Sequence, residues 1–514
     1  MHKFLAAIDK LPVVSYSIAM SSALVAFFTP WPLSLVVLLG GGTLGLMHKK
    51  FSEGKIEVAP TLKNCLFALG IILLITSAFT PLFRSGEIYF GYDVGFYKHY
   101  LEQPTLTFPR PPALLLPSSA IGSRVFLDLL SLSRLPVDFI LYGSMAGLFA
   151  LTGLGLFVLS RKEYGATVAS VTLILFALSF TQASAYQFFL WKQFFALALL
   201  LLTYVALYKK SAWAILPALF ILVSHRTTGV FLLLSVFPTL WCMYPQYRRW
   251  ILLAIAPVAI GFLWWQREAL FILERILILG TSAPDYFAVR EGQFISVNTY
   301  LIVNAFLLPL ALAGAYYSKK RFHQPLFWLG VASIIFIIFQ LPFYKRTLIF
   351  LDLSVIFYAG FAAGKILTQL KTSSSRIVSL IFLPMFFIPW ALVILFRGNT
   401  ITESFLQSVR QLQTLDKQVP VMVVSSNDAP WVWGWSGHDV IAPGLFRDKW
   451  NYDEWFEFWT TSESVRRQAL MNRYPIAPYV YVSSPKLLAT PLDAECFHQL
   501  NQFVYQYVCL QQNK

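Results

Sequence analysis

Residues 191–210 read WKQFFALALLLLTYVALYKK, a long apolar run that ends at a pair of lysines. A helix over this run is apolar on nearly every side, which a water-soluble domain rarely accommodates. About 20 such residues span the hydrocarbon core of a bilayer, where a helix satisfies its own backbone hydrogen bonds. The stretch therefore predicts a transmembrane helix, with Lys209 and Lys210 in the polar loop that follows.

Similar apolar runs recur along most of the chain, from Leu11 to Phe396. Only 13% of the 514 residues are charged, whereas soluble domains carry about 25%. The runs predict an all-α polytopic membrane protein with about 13 transmembrane helices. The predicted spans are residues 11–28, 33–47, 62–83, 136–159, 166–184, 187–208, 212–224, 228–243, 250–265, 299–317, 325–342, 347–366 and 376–396.

Lysines and arginines cluster in alternate loops between these runs. Cytoplasmic loops carry such an excess, so the pattern predicts a cytoplasmic N-terminus in a bacterial inner membrane. The loop at 84–135, the turn at His225 and the tail after residue 396 then face the periplasm. The same bias accounts for the net charge of +15. No basic groove with interleaved aromatic residues is visible, which argues against nucleic-acid binding.

The sequence predicts a transmembrane domain at 1–396 and a small, mixed α/β periplasmic domain at 397–514. An extra helical hairpin is predicted at 11–47, where two prolines break the apolar run. In the large outside loop at 84–135, two short segments have the pattern of helices that lie in the membrane interface. These segments are residues 93–102 and 124–135, the second with Val125, Phe126, Leu129 and Leu130 on one side.

Two cysteines, Cys496 and Cys509, lie in the polar tail, away from other thiol chemistry. If the tail faces an oxidising compartment, they are expected to form a disulfide. A loop of that length would stabilise the tail by roughly 3 kcal/mol. The alternative is a pair of free, buried thiols.

The first candidate site is Tyr92-Asp93-Val94-Gly95-Phe96-Tyr97, in the large outside loop. Asp93 is an acid among aromatic residues beside the membrane. Such a setting raises the pKa of a carboxylate and suits a general base. Aspartate is also a favoured N-cap, and a helix is predicted to follow. The residues alone leave both interpretations open.

The second candidate site is Ser224-His225-Arg226-Thr227-Thr228-Gly229, which interrupts an apolar stretch. His225 and Arg226 at a hairpin tip predict an anion site, formed by charge and by the backbone N–H groups of the next helix start. The alternative is a polar turn in which Arg226 extends to lipid headgroups. Positive residues are scarce on this face, which favours the anion site.

The third candidate site is Tyr344-Lys345-Arg346, at the predicted outer start of a span. Two cations on the translocated side run against the usual charge bias. Phospholipid phosphates would satisfy them, and so would the phosphate of a lipid-linked substrate. Lys192 and Arg290 are further candidates of the same kind.

In combination, these features resemble the GT-C superfamily of membrane glycosyltransferases, which use polyprenyl-phosphate-linked sugars. The resemblance covers roughly 62–514 and rests chiefly on Gly91-Tyr92-Asp93-Val94-Gly95-Phe96-Tyr97. In that family the acid of this motif is catalytic, which implies the same role for Asp93 and makes Tyr97 a candidate substrate contact. The stretch from Tyr344 to Leu353 is similar to a late family helix whose outer arginine holds the donor phosphate. Ser224-His225-Arg226 resembles another phosphate contact of the family.

The chain departs from the family pattern in two places. Many members carry a second acid in the next outside loop, but residues 181–191 contain none. No cofactor is therefore assigned, and dependence on a divalent metal stays open. Oligosaccharyltransferases of this fold have a Trp-Trp-Asp motif at the start of the tail, where this chain has Trp431-Val432-Trp433-Gly434-Trp435-Ser436-Gly437-His438. That difference argues against bloc transfer of an oligosaccharide to protein.

The resemblance implies an inverting enzyme that moves a sugar from a polyprenyl-phosphate donor to an acceptor glycan, lipid or protein at the periplasmic face. Besides these substrates, the lipid bilayer is the expected partner. Two alternatives remain: an O-antigen ligase or polymerase, and a lipid or solute transporter. Ligases usually place their large loop late in the chain, whereas here it comes early. Transporters tend to show inverted repeats, and none is visible in this sequence.

Overall fold

The computed structural model describes residues 62–85, 90–102, 118–267, 294–305, 307–341, 343–369, 401–443 and 450–509. The chain divides into two compact units. The membrane unit takes in the apolar helices. The second unit combines the described residues of Tyr89–Leu141 in the large loop with those of the tail from Asn399 onward. The predicted hairpin at 11–47, the predicted span 376–396 and Arg290 lie outside the described residues.

Helices dominate both units. They are numbered here in chain order. They are α1 (Leu62–Ser85), α2 (Val94–Glu102), α3 (Ile121–Ser131), α4 (Val137–Tyr164), α5 (Ala166–Ala177), α6 (Phe180–Gln187), α7 (Trp191–Tyr208), α8 (Ile215–Leu222), α9 (Arg226–Met243), α10 (Arg248–Trp265), α11 (Val297–Val303), α12 (Leu307–Tyr317), α13 (Pro325–Ile338), α14 (Leu348–Gln369), α15 (Glu403–Gln411), α16 (Ala429–Ser436), α17 (Tyr452–Thr460) and α18 (Ser464–Met471).

Helices occur at every predicted span that falls within the described residues. Within those ranges, five helices are long and apolar enough to cross a membrane, or up to seven if each of two bent pairs is one span. Shorter apolar helices lie at Phe67–Ala78, Ala212–Leu222 and Pro325–Ile338. The chain is therefore a mostly helical protein with several membrane-type helices, and the total of about 13 stays a prediction.

Two predicted spans, 166–184 and 299–317, are bent rather than continuous. The axes of α5 and α6 differ by 47°, and those of α11 and α12 by 79°. At the first bend the Ser179 hydroxyl accepts a hydrogen bond from the Gln182 backbone N–H at 3.1 Å, so a new helix begins there. At the second, the Asn304 side chain donates to the Tyr300 carbonyl at 3.2 Å and closes the end of α11. The first bend also makes a separate helix of Phe180–Gln187, most of which was predicted as the end of the span 166–184.

The membrane unit packs around α14, whose apolar window is 89% buried. Glycines allow its neighbours to approach closely, as is common between membrane helices. A Cβ added at Gly314 of α12 would lie 2.1 Å from the Tyr358 carbonyl oxygen of α14. A Cβ added at Gly360 of α14 would lie 2.2 Å from the Thr172 hydroxyl of α5. Helix α14 is therefore enclosed by protein, and residues near its start are held in a fixed setting.

The tail contains a five-stranded sheet with helices, which confirms a small mixed α/β region. The strands are β1 (Val421–Val423), β2 (Val440–Ile441), β3 (Tyr479–Tyr481), β4 (Phe497–Gln499) and β5 (Val504–Tyr507). Their order is β2-β1-β3-β5-β4. Strand β1 pairs in parallel with β2 and β3, whereas β5 pairs antiparallel with β3 and β4. Trp450, Trp455 and Phe458 lie in the hydrophobic core beside the sheet.

The predicted disulfide is confirmed, because Cys496 and Cys509 are bonded with their Cα atoms 5.0 Å apart. Cys496 comes directly before β4, and Cys509 follows β5. The bond therefore fastens the antiparallel pair at the edge of the sheet. It closes a loop with a sequence separation of 13 residues.

The two helices predicted in the large loop are present as α2 and α3. Helix α2 matches its prediction, whereas α3 begins and ends a few residues earlier than predicted. Helix α3 buries Arg124, Leu127 and Asp128, and leaves Leu129 53% exposed. The polar residues turn inward because the Tyr100 hydroxyl donates a hydrogen bond to Asp128 Oδ2 at 3.2 Å. Its exposed apolar face fits the predicted position at a membrane surface.

Candidate functional site

Asp93 directly precedes α2 in the second unit and is half-buried. Its backbone carbonyl accepts a hydrogen bond from the Phe96 N–H at 3.1 Å, which closes the first turn. Two residues earlier, Gly91 has a φ of 105°, a left-handed value that favours glycine, and the chain turns there into the helix. Tyr97 lies one turn into α2 and is only 2% exposed. Asp93 therefore stands at the cap position, directly before a largely buried helix.

The tail holds this helix through two glycines. A Cβ added at Gly95 of α2 would lie 1.7 Å from the Pro430 carbonyl oxygen of α16. A Cβ added at Gly434 would lie 2.6 Å from the Gly95 Cα. The backbones of α2 and α16 are thus in direct contact, two residues from Asp93. The Trp431–His438 stretch, which stands where oligosaccharyltransferases have their motif, supplies most of α16.

Aromatic and charged side chains extend this contact between α2 and α16. The Trp433 ring centroid lies 5.3 Å from that of Phe96 and 4.6 Å from that of His99. Lys98 forms an ion pair with Glu102 at 2.7 Å and lies 5.2 Å from the centroid of the Trp435 ring. These contacts hold α2, the helix that directly follows Asp93.

His99 is a residue that sequence reasoning missed. Burial lowers its pKa, and the nearby carboxylates of Asp439 and Glu102 act in the opposite direction. The ring is therefore mainly neutral at pH 7 and serves α2 as a packing group. The i, i+4 spacing of Lys98 and Glu102 is a sequence signal for their ion pair. No such local signal marks a histidine that packs against a tryptophan more than 300 residues away.

The membrane unit brings four of the predicted phosphate-binding residues together. Burial lowers the pKa of His225, and the charges of Lys192, Arg346 and Arg226 lower it further. His225 stands directly before α9, where its Nδ1 accepts a hydrogen bond from the Thr228 backbone N–H at 3.3 Å. Lys192, Arg226 and Arg346 thus each lie within electrostatic reach of His225. We call these four residues the positive cluster.

The positive cluster is built from three helix starts that are distant in sequence. Lys192 lies in the first turn of α7, and Arg226 opens α9. Arg346 lies in the short turn Tyr344–Thr347, directly before α14. The start of a helix carries a partial positive charge and unpaired N–H groups, so these helices add to the field of the side chains. Together they form a site suited to an anion.

The buried Nε of Arg346 has no hydrogen-bond partner among the described residues. A buried guanidinium N–H that is left unpaired carries a desolvation penalty, which an anionic ligand would remove. Lys345 precedes it and lies 5.6 Å from the centroid of the Tyr344 ring. Phe343, ahead of both, has a φ of 63°. A non-glycine residue in this region is strained, and such strain concentrates at ligand sites.

The predicted site residues are thus placed in two groups. Asp93 and Tyr97 belong to the second unit, whereas Lys192, His225, Arg226, Lys345 and Arg346 belong to the membrane unit. Across the part of the chain that the structure describes, no group of three or more His, Cys, Asp or Glu residues could hold a metal ion.

Comparison with known proteins adds a likeness in fold. No protein-family model matches the chain, and no curated protein matches it in sequence. Among solved structures it is similar to the oligosaccharyltransferase of Archaeoglobus fulgidus, crystallised in complex with Zn and sulfate. The TM-score is 0.54 at 12% identity, over 81% of this chain and 67% of that chain. The two proteins therefore share a fold, and this is the kind of fold that the resemblance to the GT-C superfamily implies.

Proposed function

We propose that this chain is a membrane glycosyltransferase of the GT-C type. It transfers a sugar from a polyprenyl-phosphate donor to an acceptor glycan, lipid or protein at the periplasmic face of a bacterial inner membrane. The fold likeness supports a glycosyltransferase as the general class. The polyprenyl-phosphate donor, the periplasmic acceptor face and the inverting stereochemistry are proposed from the positive cluster and Asp93.

The observation that carries the proposal is the positive cluster with its unpaired Arg346 Nε. Three cationic side chains and the His225 imidazole, at three helix starts, match the charge and the oxygen acceptors of a phosphate group. A purely structural role would pair Arg346 with a protein acceptor. A lipid-linked phosphate reaches such a site through the bilayer, because its chain is as apolar as the surrounding lipid. Arg290 and Lys345 remain candidates for the same phosphate.

In the proposed reaction, Asp93 accepts the proton of the acceptor hydroxyl. The hydroxyl oxygen then forms a bond to the anomeric carbon of the donor sugar, while the bond from that carbon to the phosphate oxygen breaks. One displacement of this kind inverts the anomeric centre. The leaving group is polyprenyl phosphate, a stable anion that needs no proton. A single carboxylate therefore suffices, and the positive cluster stabilises the charge that grows on the phosphate.

The proposed base is held by packing as well as by its own helix. The contact of Gly95 with α16 keeps the start of α2 in place. Tyr97, buried beside it, is proposed to position the sugar or the acceptor by shaping the surface around Asp93. A base must lie within hydrogen-bond reach of the proton that it removes, so a fixed helix start favours the reaction.

A lipid or solute transporter is the second candidate, because the pairs α5–α6 and α11–α12 are bent. Transporters place their substrate sites at discontinuous helices. A carrier moves its ligand without breaking a covalent bond. The two functions therefore differ in one product, free polyprenyl phosphate.

The test uses the purified full chain in proteoliposomes. The donors are polyprenyl-phosphate hexoses and pentoses with a radiolabelled sugar, and the acceptors are extracts of bacterial envelope glycans and lipids. We expect label on an acceptor and release of free polyprenyl phosphate. We also expect the protein to bind polyprenyl phosphate itself, whatever the sugar. Failure to bind polyprenyl phosphate would overturn the proposal. Movement of intact labelled donor across the bilayer would establish the transporter instead.

A further inference from the structure

Asp352 of α14 is a buried carboxylate that the proposed reaction does not use. Its side chain is completely shielded from solvent. The Ser179 hydroxyl donates a hydrogen bond to Oδ2 at 2.7 Å, and Gln182 Nε2 donates to the same oxygen at 3.0 Å. The other oxygen, Oδ1, has no partner at hydrogen-bond distance and angle among the described residues, although the Thr181 hydroxyl lies near enough to favour the charged carboxylate. The two oxygens of the carboxylate are therefore unequally satisfied.

Two more buried oxygens in this region also lack a hydrogen-bond partner among the described residues. Gln182 Oε1 and the Tyr300 hydroxyl are fully buried and have no partner within the described ranges. Gln182 Nε2 also donates to the Ile349 carbonyl at 3.1 Å, which fixes the amide beside Asp352. Tyr300 lies in α11, which Asn304 links to α6 through hydrogen bonds to the Tyr300 carbonyl and the Thr181 hydroxyl. The three unsatisfied oxygens therefore lie on three helices that meet in this region.

Both helix bends meet at this place. Ser179 and Gln182 lie at the bend between α5 and α6, and Tyr300 lies in α11 just before its bend. Asn304, at the second bend, donates to the Thr181 hydroxyl at 3.5 Å and links the two. The C-terminal ends of α5 and α11 carry partial negative charge. Broken helices in membrane proteins place such ends at cation sites.

The charge of Asp352 has no protein counter-ion in the described part of the chain, where every salt bridge involves other residues. An isolated buried carboxylate is unfavourable unless it takes up a proton or a cation. A proton on Oδ1 can be donated to only one of the other two oxygens, so at least one of Gln182 Oε1 and the Tyr300 hydroxyl stays unpaired. A cation can accept all three oxygens as ligands at once. The set of unpaired acceptors therefore favours a cation over a proton.

We propose that Asp352, Gln182 and Tyr300 bind a dehydrated monovalent cation, with Na⁺ as the expected ion. One carboxylate balances one positive charge. A divalent ion would leave an excess charge in the protein interior, and divalent sites normally supply more carboxylates. The ion joins three helices. They are α6, which follows the first bend, α11, which precedes the second bend, and the enclosed helix α14. Its role is to stabilise this junction, independent of the positive cluster and of sugar transfer.

The test measures thermal unfolding of the purified full chain in detergent, with NaCl replaced stepwise by choline chloride at constant ionic strength and with a parallel KCl series. Above the Kd, each tenfold rise in Na⁺ is expected to raise the Tm by about 2 °C, with a smaller effect of K⁺. Equilibrium binding of ²²Na⁺ to the same protein is measured directly. Asp453→Asn, at an exposed position on α17, is the matched control and should behave as wild type.

Asp352→Asn keeps the shape of the side chain and removes its charge, so it should abolish both the Na⁺ dependence of the Tm and ²²Na⁺ binding. Tyr300→Phe removes one oxygen, so it should shift the midpoint to higher Na⁺. If Asp352→Asn does not fold, the wild-type series and Tyr300→Phe decide the question. The proposal is overturned if wild type has the same Tm in Na⁺, K⁺ and choline, or if Asp352→Asn keeps the Na⁺ response. Either result would show that Asp352 does not bind Na⁺.

Discussion

The positive cluster and the start of α2 are built in opposite ways. The cluster gathers Lys192, His225 and Arg346 from three helix starts that are far apart in sequence. Asp93 belongs to one short motif, whose helix is held by α16 of the tail. The first arrangement fits a ligand that is already charged when it binds. The second fixes a single acid in position, as proton removal in a transition state requires. A change in the positive cluster should therefore alter phosphate binding, whereas a change at the start of α2 should alter the rate of sugar transfer.

The largest effect on stability is expected from Gly95→Ala. The new Cβ would lie 1.7 Å from the Pro430 carbonyl oxygen, so α2 and α16 must move apart. We expect a loss of about 3 kcal/mol or more of stability in the second unit, measured as a lower Tm and as faster proteolysis of the tail. Gly147→Ala is the control, because an added Cβ there meets nothing within 4 Å. Equal behaviour of the two variants would remove the proposed role of α16.

Cys496→Ser tests the other end of the tail. Loss of the disulfide releases the pair β4–β5 in the unfolded chain, and we expect the tail to lose about 3 kcal/mol of stability. Polyprenyl phosphate binding should not change, because the positive cluster belongs to the membrane unit. Cys242→Ser, at a free and partly buried cysteine, controls for loss of a thiol. Weaker phosphate binding in Cys496→Ser alone would contradict the separation of the two regions.

Arg346→Ala should weaken binding of polyprenyl phosphate by about 10- to 100-fold, because it removes charge-assisted hydrogen bonds to a ligand that is already anionic. Arg346→Lys should restore only part of this affinity, since lysine keeps the charge without the planar fork. The measurement is equilibrium binding of labelled polyprenyl phosphate in detergent. Arg248→Ala, at an exposed arginine that stacks on Trp241, is the matched control. Unchanged binding in Arg346→Ala would exclude it from the phosphate site.

The features predictable from sequence were those that depend on neighbours along the chain. The apolar runs, helix α2 after Asp93 and the pair Cys496–Cys509 belong to this class. Each depends on a hydropathy pattern, a cap or a short loop. The resemblance to the GT-C superfamily rested on the same short motifs, and the fold is similar to that of a solved oligosaccharyltransferase.

Other features depend on partners distant in sequence, and the sequence does not pair them. The bend at Ser179 follows from its capping bond to Gln182, although the run around it is apolar enough for a continuous helix. The inward face of α3 depends on Tyr100, which binds Asp128. The contact of Gly95 with α16 joins residues more than 300 positions apart. In each case a specific polar or steric contact overrides the hydropathy pattern.

The most direct test of the central claim is the effect of Asp93→Asn on sugar transfer and on polyprenyl phosphate binding, measured in the same preparation. Asparagine keeps the shape and the capping ability of the residue, so α2 should stay folded. It cannot accept the proton, so transfer should fall by about 10²- to 10⁴-fold, while binding of polyprenyl phosphate stays at the wild-type level. Near-normal transfer by Asp93→Asn would show that Asp93 is only a helix cap and would contradict the proposed mechanism.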